Sequence, residues 1–135
     1  MPNRIAIKTD KAPQARPIFH QGIKQGPFVQ VSGQGPQDPA TGAYLYPGDI
    51  KAQTVRTLDN VNAILEAAGA SMDDVLILRV YITKREDFAP MSEAYGDWVK
   101  AHCKGDVLPC RTTVTTGLPN EDMLVEIDAL AYLGE

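Results

Sequence analysis

Two ions stand inside runs that otherwise read as β-strand. Arg111 lies near the head of Pro109-Cys110-Arg111-Thr112-Thr113-Val114-Thr115-Thr116-Gly117-Leu118-Pro119, and Glu126 sits between Val125 and Ile127 in Leu124-Val125-Glu126-Ile127-Asp128. A charge in an apolar strand is costly unless it is paired or faces a wet cavity. One reading is structural: an ion pair, or a strand with one solvated face. The other is chemical: a carboxylate-binding arginine beside a general base. A guanidinium fork matches a carboxylate with two parallel hydrogen bonds. A partly desolvated glutamate can take a proton and return it.

Other reactive side chains offer less. Cys110 precedes Arg111, whose charge could lower its thiol pKa; the alternative is a small hydrophobe at a loop edge. Ser32, Ser71 and Ser92 lie in no Gly-x-Ser-x-Gly context. His20 and His102 are far apart in sequence, and without Cys-x-x-Cys or His-Glu-x-x-His spacing a metal site has no local support. The glycines after Ser32 lack both the P-loop ending and the dinucleotide spacing. They could still turn backbone N–H groups toward an anion.

Composition narrows the classes further. The chain has 135 residues, 44% hydrophobic and 22% charged, and a net charge of −4, which suits one globular domain over residues 1–135. Without a basic run it is a poor nucleic-acid or anionic-membrane binder. No stretch is long and apolar enough to span a bilayer, and the N-terminus has no apolar leader. Two cysteines, Cys103 and Cys110, are too few for a disulfide scaffold and suit a cytoplasmic protein.

The elements that would position Arg111 and Glu126 can be read in order. Ile5 and Ile7 alternate with polar neighbours as a first strand. Thr9 to Pro17 is loop. His20–Lys24 and Phe28–Ser32 read as a hairpin around Gln25-Gly26-Pro27. Gly33 to Gly48 is a long Gly/Pro-rich loop, and that length suggests function. Asp49 caps a helix reaching about Ala68, with Val55, Leu58, Val61, Leu65 and Ala68 as its apolar stripe and Gly69 as its stop. Val75–Ile82 is a central strand. Asp87 caps a second helix, with Met91, Tyr95, Trp98, Val99 and His102 on one face and Gly105 at its end. The order β-β-β-α-β-α-β-β predicts an α+β fold, a two-layer sandwich of one mixed sheet and two helices. The sheet face away from the helices carries apolar and threonine atoms, which predicts contact between subunits.

These residues resemble the RidA/YjgF family of reactive-intermediate imine/enamine deaminases, also described as L-PSP-like endoribonucleases. The resemblance rests on Pro109-x-Arg111-Thr112-Thr113-Val114, Leu118-Pro119 and Val125-Glu126-Ile127-Asp128-Ala129. It extends to Ser32-Gly33-Gln34, Asp38-Pro39-x-Thr41-Gly42, Gln53-Thr54, Leu58-x-Asn60, Leu65-x-x-Ala68-Gly69, Asp87-Phe88 and Tyr95. It implies a chorismate-mutase-like homotrimer whose clefts between subunits hydrolyse 2-aminoacrylate and other 2-imino acids to 2-keto acids and ammonia, without a cofactor or metal. By the same resemblance Arg111 holds the substrate carboxylate, Glu126 positions or activates water, and the backbone of Ser32 and Gly33 lines the cleft. The chain departs from the pattern at three places. Phe19 stands where many members have tyrosine, Ser92 where asparagine is frequent, and Thr113 where some have cysteine, with Cys110 just before the arginine instead. Phe19, Ser92 and Cys110 are therefore expected at the substrate, and the loss of a hydroxyl at Phe19 favours larger apolar imines. A non-catalytic trimer binding small carboxylates is the alternative. Ribonuclease activity finds no support in an acidic chain without paired catalytic histidines.

Overall fold

The three-and-four spacing of apolar residues after Asp49 produces helix α1, Ile50–Ala67. The Asp49 carboxylate accepts the Ala52 N–H at 3.1 Å, and Gly69, at φ +82°, turns the chain out of the helix. Ile50, Leu58, Val61, Ile64 and Leu65 are buried. Val55, expected in that stripe, is 38% exposed; Thr54 just before it and Thr57 two residues after it take the inward positions. Helix α2 spans Phe88–His102 and buries Met91, Tyr95, Trp98 and Val99. His102 continues that face, stacked on Trp98 at 3.6 Å, but is exposed at the helix end. Asp87 stands at the N-cap position without a side-chain capping bond, after a single 3-10 turn over Arg85–Asp87. The helix stops at Cys103, before Gly105.

The computed structural model describes residues 3–134. Its six strands are β1 (Arg4–Ile7), β2 (Gly22–Gln25), β3 (Phe28–Gln34), β4 (Val75–Ile82), β5 (Cys110–Thr115) and β6 (Val125–Tyr132). They form one mixed sheet in the order β1-β2-β3-β6-β4-β5, with β4 and β5 parallel and the other neighbours antiparallel. Two crossovers, β3-α1-β4 and β4-α2-β5, step in the same direction across the sheet. Right-handed crossovers that step the same way leave their helices on the same face. That face carries Val29, Val31, Leu78, Val80, Ile82, Val125, Ile127, Ala129 and Ala131, all buried. The opposite face has no covering layer among the described residues.

The sequence boundaries shift at the first hairpin. Residues 17–19 form a turn closed by Phe19 N–H to Arg16 O at 3.2 Å. Strand β2 starts only at Gly22, so Phe19 and His20 are not strand residues. Gly26, at φ +58°, takes the first of two turn positions between Gln25 and Phe28, as a type II′ connection requires. Strand β3 runs two residues past Ser32, through a register shift between Val31 and Gln34.

Three buried amides tie the loops to this frame. Gln21 accepts the Thr9 N–H at 2.8 Å and donates to the carbonyls of Thr9, Ala12 and Pro13. Asn60 donates to Gly35 O at 3.0 Å and Gln37 O at 2.9 Å. Gln53 donates to the carbonyls of Leu45, Tyr46 and Asp122 and accepts from Leu124 N–H at 2.8 Å. A buried backbone group without a partner costs roughly 1–3 kcal/mol. The amide of Gln53 thus fastens the long loop to the segment entering β6. Gln53→Leu keeps the volume and strands several of these groups. Urea unfolding should show a loss of about 2–4 kcal/mol, and a loss under about 0.5 kcal/mol would mean that the amide does not hold the loops.

Candidate active site

Strand geometry fixes where each candidate side chain points. Successive residues face opposite sides of a sheet. On β4 and β6 the register pairs Tyr81 with Glu126 and Arg79 with Asp128, whereas Val80 pairs with Ile127 on the buried side. Glu126 therefore belongs to the uncovered face. Arg111 pairs with Leu78, which is fully buried under the helices, so Arg111 belongs to the helix side. Its guanidinium carbon lies 4.8 Å from the Tyr95 ring centroid and 5.4 Å from that of Phe88, both on α2. Strand β4 separates the two residues' strands, an offset of about 10 Å at ordinary strand spacing. Within one chain the proposed carboxylate grip and the proposed base are on opposite sides of the sheet.

Each ion has its own set of neighbours. Around Glu126 the structure gathers Phe19, Gly33, Tyr44 and Met123 in a cleft of about 440 Å3. The carboxylate rests on Gly33: a Cβ at that glycine would overlap its oxygen. Burial, and to a lesser degree the nearby Asp128, push the Glu126 carboxyl above its ordinary pKa. Asp128 is itself engaged, accepting from Arg79 Nε at 2.6 Å and from the Tyr81 hydroxyl at 3.0 Å. That engagement leaves Glu126 as the carboxylate facing open space. The Ser32 hydroxyl donates to His20 O at 2.6 Å, and Ser32 N–H donates to Gln21 O at 2.9 Å. Ser32 thus fastens the Phe19 turn to β3 and presents its neighbour Gly33 to the cleft.

The second set shares the helix side of the sheet with Arg111. Ser92 and Tyr95 of α2 and Thr113 of β5 each hold a buried hydroxyl with no partner among the described residues. Cys110 is not in this set. It pairs with Ile77, one residue from Arg111 and hence on the opposite face, exposed. The expectation that Arg111 activates the Cys110 thiol loses its geometric basis. Sequence reading also missed Tyr44 and Met123 at the Glu126 cleft, and the stacking of Arg111 on Phe88 and Tyr95. The helical spacing of Phe88 and Tyr95, seven residues apart, could have indicated the stack. No sequence signal marks Tyr44, which a loop delivers. Among the described residues no cluster of His, Cys, Asp or Glu is placed to hold a metal, and no helix is long and apolar enough to cross a membrane.

A two-layer chain with a desolvated carboxylate over a glycine on its open sheet face, and an aromatic-stacked arginine on its edge strand, defines a narrow class. The family model described as Endoribonuclease L-PSP matches residues 9–133. This chain belongs to that family, RidA/YjgF. It is 43% identical over 126 residues to a RutC family protein of Pyrococcus abyssi, covering 93% of this chain and 94% of the relative. It is 36% identical over 125 residues to the 2-iminobutanoate/2-iminopropanoate deaminase of Salmonella typhimurium, covering 93% and 94%. Among solved structures, E. coli TdcF with bound serine superimposes with a TM-score of 0.86 at 37% identity, covering 95% of this chain and 98% of that one.

The contact of Glu126 with Gly33 can be measured without assuming a reaction. Gly33→Ala inserts a methyl where the carboxylate lies and should destabilise by about 1 kcal/mol, since what it displaces is the far end of a flexible side chain. In a Glu126→Ala background the same change should cost much less. Equal costs in both backgrounds, by a double-mutant cycle in urea, would show that the two residues do not touch.

Proposed function

We propose that this protein hydrolyses 2-imino acids to 2-keto acids and ammonia at sites that form between copies of the chain, three to a homotrimer. The observation that carries this reading is the separation of Arg111 from Glu126. Glu126 lines a cleft on the uncovered face, Arg111 lies against Phe88 and Tyr95 on the helix side, and a second copy is what can bring a proton acceptor and an anion grip together. Support for the chemistry comes from the deaminase of Salmonella typhimurium at 36% identity. Support for a small carboxylate at the site comes from the serine bound to E. coli TdcF.

In this reading the Arg111 fork takes the substrate carboxylate through two parallel hydrogen bonds. The iminium carbon beside that carboxylate is already electrophilic, so orientation and an activated water supply most of what is needed. The Glu126 carboxylate takes a proton from water as the oxygen bonds to the imine carbon. It then returns that proton to the amine nitrogen of the carbinolamine. The C–N bond breaks, the carbonyl forms, and the hydroxyl proton departs with ammonia as ammonium. Phe19 and Met123 give the Glu126 cleft an apolar stretch of wall, without a hydroxyl at position 19. That wall favours leucine- or methionine-derived imines over the smallest ones.

Imines generated in place by an amino-acid oxidase, with ammonia release followed in the presence and absence of the protein, test this directly. Sedimentation should give about three times the 14.7 kDa chain mass. Glu126→Gln should lower turnover by about a hundredfold or more while small carboxylates still bind. In the wild type, kcat/KM should fall as pH drops and Glu126 takes up a proton, because only the ionised form accepts one from water. Glu126→Gln should flatten that acid limb. Carboxylate binding without any ammonia release across the panel would leave the protein a binding trimer instead.

A further inference from the structure

Among the described residues six buried side-chain atoms lack a partner, and three of them belong to α2 and β5, the elements that hold Arg111. They are the hydroxyls of Ser92, Tyr95 and Thr113. Native interiors pair nearly all buried polar groups, so a cluster of unpaired ones calls for an occupant. Thr113 shares the Arg111 face of β5, two residues on. Ser92 and Tyr95 are three apart on α2, which places them on one side of that helix. Tyr95 is only 7% exposed, and its ring lies under the guanidinium at 4.8 Å. The cation is thereby held against α2, on the side of the sheet where these three hydroxyls lack partners. Burial pushes the Tyr95 phenol up to about 12, so it keeps its proton and remains a donor at neutral pH.

We propose that Tyr95 is a further anion-binding residue of this site, and that its hydroxyl, with those of Thr113 and Ser92, completes the receptor in which Arg111 takes the substrate carboxylate. The proposal deepens the imine-hydrolase reading and rests on Arg111 being the carboxylate grip. A carboxylate has more acceptor positions than one guanidinium fork fills. Neutral hydroxyl donors satisfy the remainder without adding charge. The Tyr95 ring has a separate task, which is to hold the guanidinium plane against α2.

An unpaired buried hydroxyl and a paired one respond oppositely to removal, and this makes the test sharp. Tyr95→Phe keeps the ring and deletes the oxygen. It should weaken binding of pyruvate, used as a non-reacting 2-keto acid probe and read by calorimetry, by about tenfold or more. The unliganded protein should unfold at the same urea concentration as the wild type or a higher one, since a costly unpaired group is gone. Thr113→Val should act in the same sense. Tyr95→Leu, which also removes the ring, should weaken pyruvate binding further than Tyr95→Phe. Unchanged pyruvate affinity in Tyr95→Phe with lowered stability would overturn the proposal, because the hydroxyl would then have a structural partner. Arg111→Ala separates the two claims: if it leaves pyruvate binding intact, the carboxylate reading itself fails, whatever Tyr95 does.

Discussion

A β-strand turns successive side chains to opposite faces, and this alternation governs what the chain can do. Leu78, at the Arg111 register, is buried beneath α2, and Tyr81, at the Glu126 register, is on the uncovered face. Because β4 pairs with both β5 and β6, its register settles the direction of both ions at once. Glu126 cannot cross to the other side without a one-residue slip of β6, which would drive Val125, Ile127, Ala129 and Ala131 out of the core. The hydrophobic face thus holds the two reactive residues apart within one molecule. In the proposed reaction the same constraint gives the uncovered face a purpose, since a second copy is the simplest way to bring an Arg111 to each Glu126.

Loops complete the Glu126 half, and their placement depends on buried amides rather than on apolar packing. Gln21 holds the N-terminal loop and with it the approach to Phe19. Asn60 and Gln53 reach from α1 to the loop that carries Tyr44 and to the segment preceding β6. Each amide answers several backbone groups that would otherwise be buried unpaired. The arrangement accounts for two of the polar residues fully buried on α1, Gln53 and Asn60, whereas the Thr54 hydroxyl bonds Ile50 O within the helix. On the open face the Arg79–Asp128–Tyr81 cluster occupies Asp128, and the desolvated Glu126 beside it has no ion-pair partner among the described residues.

Much of the fold was legible because periodicity carries it. The apolar repeat after Asp49, the β-branched run Val75–Ile82 and the two ions inside β-rich runs all specified elements that the structure contains. What was not legible depends on tertiary context. Val55 keeps the helical period but falls outside the buried arc. His20 belongs to a β-like run in sequence, yet the turn closed on Arg16 O and the Ser32 hydroxyl bond hold it out of the sheet. Cys110 and Arg111 are neighbours in sequence and on opposite faces in the fold, so adjacency misled where alternation decides. The family likeness was readable from short motifs in order, whereas the stacking of Arg111 on Phe88 and Tyr95 needed the packing of α2 against the edge strand.

The central claim is that Arg111 of one copy serves Glu126 of another, and subunit mixing tests it most directly. Arg111→Ala and Glu126→Gln, each inactive alone, would be unfolded together in equal amounts and reassembled. Random assembly pairs an intact Arg111 with an intact Glu126 at about a quarter of the sites when those residues come from different copies. The account predicts recovery of imine hydrolysis toward that fraction of wild-type activity. Reassembled mixtures that sediment as trimers and stay as inactive as either parent would contradict it, because a site built within one chain is broken in every copy.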